Sequence, residues 1–270
     1  MAASARRLTL FALIAATVAL WILAAAVFAL RWNSVLRPGP SARALFPYGE
    51  MRVGVDASSP PFAVATADDL FGLEIDLARA LADEIGIPVR FVNMSFDGLY
   101  DSLRADQVDV VIAQLLYDPQ QTRSVRYTRA YYNAGLVLVS PATRPLYAMA
   151  DLPGQALAYE FGAEAEAEAR RWLRRVLPFD QLPYELPAFA LDAVRLGEAD
   201  AALVDATSAR LYLQQHPDWL AQMRYVTDYL YVIAARADRP ALAARIDSAL
   251  AVLEVNGRLA RIIDRWFGDS

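Results

Sequence analysis

Three carboxylates fall at the ends of runs that read as strands. Asp56 follows the β-rich run Met51–Val55, Glu160 follows Ala156–Tyr159, and Asp205 ends the apolar run Ala201–Val204. Carboxylates gathered at strand ends suit a cation, because a buried ammonium without partners is strongly disfavoured. Each also has a plainer reading: Asp56 as a turn former, Glu160 as an exposed strand end, Asp205 as the cap of the helix that follows. Glu164, Glu166 and Glu168 suit the first turns of a helix. Much other chemistry is excluded. The chain has no cysteine, one histidine, and 26 basic residues that are all arginine. A thiol nucleophile, a histidine metal cluster, a P-loop lysine and a Schiff-base lysine are therefore impossible. No GxSxG, GxGxxG or HExxH pattern occurs. His216, in QQHPDW, reads as a surface cap, and Asp109 as a structural hydrogen-bonder at the start of a buried strand. No catalytic residue, metal site or cofactor is assigned. The net charge of −5 argues against a nucleic-acid partner.

The surrounding elements alternate. Met51–Val55 and Val89–Val92 read as strands, with the helical stripe Leu73–Ile85 between them and Gly86 as its stop. Phe96–Leu103 is a short helix. Val108–Ala113 is a continuous apolar run, as in a parallel strand buried on both faces. Asp118-Pro119 reads as the cap and first position of another helix. This is an α/β pattern with a parallel sheet, whose ligands sit beyond the carboxyl ends of the strands. Asp56 and Ala113–Leu116 lie at such ends. The alternation then repeats. Strands are expected at Leu136–Val139, Ala156–Tyr159, Ala201–Val204 and Tyr229–Ala234. Helices are expected at Ala163–Val176, Pro187–Leu196, Thr207–Gln214, Pro240–Leu253 and Arg258–Phe267.

Ahead of this lies Leu8–Leu30, 23 residues without a charge after Arg6-Arg7. Roughly 20 apolar residues span a bilayer as a helix. The stretch is expected to be an uncleaved signal anchor, with a signal peptide cleaved after Val27-Phe28-Ala29 as the alternative. Asn33–Tyr48, with three prolines, reads as a linker.

Several segments together carry a resemblance: Met51–Phe62, Gly72–Gly86, Phe96–Leu103, Val108–Ala113, Tyr131–Val139, Gly197–Asp205, and Asn256–Gly268 ending in DRWFG. In order and spacing they resemble the family-3 extracytoplasmic solute-binding proteins of amino-acid ABC transporters. The resemblance implies a two-lobed α/β periplasmic-binding fold of type II, here preceded by one transmembrane helix. With the apolar stretch and the proline-rich run ahead of it, the chain divides into a signal anchor at residues 1–30 and a linker at 31–48. Lobe one takes residues 49–134 and 230–270, lobe two takes 135–229, and hinge strands lie near 134–140 and 226–232. The resemblance also implies an extracytoplasmic location, lobe closure around the ligand, and a partnership with an ABC permease and its ATPase.

In the family the ligand's ammonium meets carboxylates that match Asp56 and Asp205, under an aromatic that matches Phe96. The remaining positions implied to border the ligand are Ser59, Ala113, Gln114, Leu116, Gln121, Glu160, Gly162 and Ala163. Several depart from the family pattern. Gln121 stands where an arginine holds the ligand carboxylate, Ser59 replaces an aromatic, and Leu116 replaces a small hydroxyl residue. The expected ligand is an amino acid or, given so acidic a cleft, a cationic amine without a carboxylate. A sensor or degenerate subunit is the alternative, and an enzyme like the cyclohexadienyl dehydratases is less favoured, because its dicarboxylate substrate needs a cationic clamp.

Overall fold

The computed structural model describes residues 41–268. The expected membrane helix Leu8–Leu30 lies outside the described residues. Among the described residues no helix is long and apolar enough to cross a membrane. The chain divides into two units, Met1–Leu45 and Phe46–Ser270. In the first, the described part is Ser41 and one helical turn, Ala42–Leu45. Everything below concerns the second, which is built from two sheets.

The first sheet begins with β1 (Met51–Val55), buried along its whole length. Two small strands, β2 (Ser58–Ser59) and β3 (Ala63–Ala65), form a side ribbon with β4 (Leu70–Phe71). Helix α1 (Leu73–Ile85) follows and turns Leu73, Leu77, Leu81 and Ile85 inward. It ends at Gly86, whose φ of 82° closes the last turn through bonds to Ala82 and Asp83. Then come β5 (Val89–Asn93), a 3₁₀ turn at Phe96–Gly98, α2 (Leu99–Arg104) and β6 (Val110–Leu116). Strand β1 lies parallel to β5 on one side and to β6 on the other.

Here the structure corrects the sequence reading. Asp118 does cap, accepting from the Gln120 N–H at 2.8 Å, but Pro119–Gln121 is a single 3₁₀ turn and no helix follows. The chain passes into the long strand β7 (Val125–Asn133). Its residues, VRYTRAYYN, are rich in β-branched and aromatic side chains, which prefer a pleated surface over a helix.

The second sheet copies the first. β8 (Leu136–Pro141), β9 (Ala156–Glu160), α3 (Glu164–Trp172), β10 (Asp180–Tyr184), α4 (Pro187–Leu196), β11 (Ala201–Asp205), α5 (Ala206–Gln215) and β12 (Ala221–Tyr225) complete it. Strand β13 (Leu230–Arg236) then returns to the first sheet, followed by α6 (Pro240–Val255) and α7 (Arg258–Phe267). The orders are β5-β1-β6-β13-β7 and β10-β9-β11-β8-β12. In each sheet three parallel strands are followed by an antiparallel strand that has crossed from the other sheet.

The two crossings touch. A Cβ on Gly135 would lie 2.0 Å from the carbonyl oxygen of Thr227, so only glycine lets the backbones approach so closely. Asn133 ties them together. Its Oδ1 accepts from Gly135 N at 2.9 Å and Tyr229 N at 3.0 Å, and its Nδ2 donates to Asp228 at 2.8 Å. Helix α7 returns to α1, where Arg265 and Trp266 both donate to Asp76, at 2.9 and 3.1 Å.

Candidate functional site

The carboxyl ends of β9 and β11 and the start of α3 surround a cavity of about 320 Å³ in lobe two, beside the crossings. Its charged lining is Glu160, Glu164 and Asp205. Ala134, Leu136, Ala163, Ala165 and Val204 supply apolar wall, and Thr207, Tyr229 and Tyr231 supply hydroxyls. Glu160 sits at the last residue of β9 and Asp205 at the last residue of β11. These are the adjacent parallel strand ends where side chains from a βαβ fold converge.

Asp205 also performs its local task. Its Oδ1 accepts from the Ser208 N–H at 2.8 Å and caps α5. The cap engages one oxygen of Asp205, which also lines the cavity. Tyr231 stands at the cavity floor. Burial, reinforced by the neighbouring Tyr229, Glu74 and Asp205, pushes its hydroxyl up to about 12, so it remains a hydrogen-bond donor. Its place among those acids puts it between the two lobes' carboxylates.

Lobe one supplies the other carboxylate. Asp56 lines a separate recess with Ala57, Ser58, Asn93, Met94 and Ser95. Its Oδ1 accepts from the Ser58 N–H at 3.2 Å and hydroxyl at 2.6 Å. Nearby, the Ser59 hydroxyl donates to Gln114 Oε1 at 3.3 Å. Gln114 has a φ of +52°, in the left-handed region that few side chains adopt. Leu116 pairs with Tyr231 across the sheet, and Ala113 is buried. Phe96 is 49% exposed.

The residues singled out from the sequence thus fall in two groups. Glu160, Ala163 and Asp205 line one cavity, and Asp56 lines another. Gly162 flanks the first, its N–H given to Glu166 at 2.7 Å. Gln121 is engaged elsewhere: its Oε1 accepts from Arg104 at 2.7 Å. Asp109 is fully buried and accepts from Arg52 and Arg239 at the amino end of β6, which accounts for it structurally.

Sequence reading missed Glu74. It is fully buried, and one oxygen accepts from the Gln114 N–H at 2.7 Å and from the Tyr131 hydroxyl. Burial, with the charge of Asp56 adding to it, pushes this carboxyl up to about 7, against the pull of those two bonds. A signal was present. Positions 74, 77, 81 and 85 share one face of a helix with 3.6 residues per turn, so Glu74 lies on the apolar stripe. Thr207, Tyr229 and Tyr231 carried no comparable signal, because their approach to the cavity depends on the crossings.

Residues 51–269 match the family model for bacterial extracellular solute-binding proteins, family 3. The chain belongs to this family. A relative from Escherichia coli K12, ABC transporter arginine-binding protein 1, is 28% identical over 226 residues, covering 81% of this chain and 90% of the relative. The fold matches the crystal structure of the L-cystine solute receptor of Neisseria gonorrhoeae in its unliganded open conformation. That match has a TM-score of 0.73 and 22% identity, over 86% of this chain and 98% of the receptor. Another relative is an enzyme, membrane-bound lytic murein transglycosylase F of Sodalis glossinidius. It is 27% identical over 82% of this chain, and the match spans 48% of the enzyme. The solute-binding family is thus established, and with it the extracytoplasmic class of protein.

Proposed function

We propose that this solute-binding protein captures a cationic amino acid between its lobes and presents it to an ABC permease and ATPase at the outer face of the cell membrane. The observation that carries this reading is the charge of the lobe-two cavity, where Glu160, Glu164 and Asp205 are the ionisable carboxylates, with Asp56 lining a separate recess of lobe one. Two cationic ends of one ligand require at least two such partners once water is displaced. The first turn of α3 borders the same cavity and offers main-chain N–H groups to the ligand's carboxylate. An arginine-binding relative over nearly the whole domain agrees with a cationic ligand. In this reading Leu8–Leu30 tethers the domain and raises its concentration near the permease.

A second reading, an amine with no carboxylate, draws on Gln121. The side chain is turned to Arg104, so a ligand carboxylate would meet main-chain N–H groups and neutral hydroxyls but no cationic partner in the cavity. Calorimetric titration separates the two. The first reading expects heat with L-arginine, L-ornithine or L-lysine that exceeds the heat with putrescine or spermidine. Binding confined to the diamine and polyamine establishes the second. No heat from either set overturns both.

A further inference from the structure

Glu74 joins three segments of lobe one: the loop after β1, the end of β6 and strand β7. Its own N–H donates to the Phe62 carbonyl at 2.9 Å, which docks the loop carrying Asp56 and Ser59 onto α1. A Cβ on the preceding Gly72 would lie 2.2 Å from that same carbonyl oxygen, so the loop sits directly on the helix start. One side-chain oxygen holds the Gln114 N–H at 2.7 Å and the Tyr131 hydroxyl. Gln114 reaches Ser59 in the cleft, and Tyr131 precedes Tyr132 and the Asn133 clamp on β7. The other oxygen, Oε2, is buried with no hydrogen-bond partner.

We propose that Glu74 is a positioning residue that couples cation binding in the cleft to the hinge, releasing a proton as the ligand enters. This rests on the cationic-ligand reading above. A buried carboxylate with an unpartnered oxygen is costly as an anion and stable as a neutral acid. The charge of Asp56 disfavours the anion further. A cation arriving at Asp56 cancels that repulsion and favours the anion, so a proton leaves. The anion then accepts more strongly from Gln114 and Tyr131, because bonds to a charged acceptor are the stronger ones. The strand end and the hinge strand are thereby tightened together.

The groups facing Glu74 from its surroundings fit this scheme. They are Tyr131 on β7, Tyr231 on β13, the Gln114 N–H at the end of β6, and Asp56 after β1. From α7 and α6, Arg265, Arg258 and Arg245 reach Asp76, Asp83 and the Glu84 carbonyl instead, all on α1. Asp76 lies about 200° round the helix from Glu74. Arg79 on α1 pairs with Asp69 of the side ribbon and with Asp76. Burial raises the carboxyl to about 7, so the protonated form is populated at neutral pH and its proton is available for release.

The test is calorimetry of the purified full chain with L-arginine at pH 7, in phosphate and in Tris, whose ionisation heats differ. The expected result is a release of roughly 0.3–0.5 proton per arginine bound, and an affinity that rises about 3- to 10-fold from pH 6 to pH 8. Glu74→Gln keeps both acceptor contacts but cannot ionise. It should abolish the release and flatten the pH profile, with affinity held at the wild-type level of low pH. His216→Gln controls for the single histidine and should leave the release intact. Binding of arginine with equal apparent heats in both buffers overturns the inference and leaves the functional reading standing. Release that persists in Glu74→Gln overturns it as well. Absence of arginine binding overturns both. Should Glu74→Gln fail to fold, the wild-type buffer comparison still decides, and Tyr131→Phe, which removes a bond that holds the carboxyl down, should move the pH midpoint of the affinity profile upward.

Discussion

In the proposed function Asp205 holds an element and a ligand at once, and the two tasks can be separated. Alanine there would remove both the α5 cap and the charge, and the losses would be confounded. Asparagine caps a helix about as well as aspartate, within a few tenths of a kcal/mol. Asp205→Asn is therefore expected to leave thermal unfolding nearly unchanged and to weaken the cationic ligand roughly 10- to 100-fold, the worth of a hydrogen bond to a charged group. Calorimetry beside a melting curve checks both halves. At this scale the sequence was readable where a residue's task is local. The cap at Asp205 and the strand-end places of Asp56 and Glu160 follow from neighbours a few positions away. Gln121 was not readable in the same way. Its partner Arg104 lies 17 residues earlier, and no register argument brings the two together. Glu74 was readable in principle, as an acid on an apolar stripe, but acids are so common in first helical turns that the position drew no notice.

Among the elements, the parallel strands and the long helices announce themselves, because burial on both faces or along one face leaves a run or a period. The edges do not. β10 (DQLPY) is largely exposed and holds a proline, which an edge strand tolerates, and β12 (AQMRY) alternates weakly. Both are strands because a neighbour, β9 or β8, offers unpaired backbone groups. The single turn at Pro119–Gln121 has the same cause: β7 has a place waiting beside β13, and the chain is short of it by only a few residues. The crossings are the element-level device that function depends on. Gly135→Ala would press a methyl group into the Thr227 carbonyl, which must then move. The expected cost is about 1–3 kcal/mol, as for other overpacked sites, read from urea unfolding. Ligand affinity should change with it, because the displaced crossing carries Tyr229, which lines the cavity.

For the molecule as a whole, the decisive feature is that the carboxylates of the proposed site lie apart. Asp205 and Glu160 line one cavity and Asp56 another, on different sheets. A small ligand that pairs with both sets must bring the sheets together, and only the difference in its affinity for the two arrangements can drive that motion. The crossings are the natural axis, since the sheets are joined there by two short backbone segments clamped by one asparagine. In the proposed closure two exposed surfaces, Phe96 on the first lobe and Phe161 at 67% exposure beyond Glu160 on the second, would be covered. Apolar area removed from water favours the closed form independently of charge. Small-angle scattering should therefore show a smaller radius of gyration with saturating L-arginine than without. Asp205→Asn should need more arginine to reach the same compact state, whereas Phe96→Ser and Phe161→Ser should bind the cation with its charge partners intact yet close less fully. A radius unchanged by a ligand that calorimetry shows to be bound would mean that one lobe holds the ligand alone. Asp56 would then have no part in recognition, and its substitution by asparagine would leave affinity untouched.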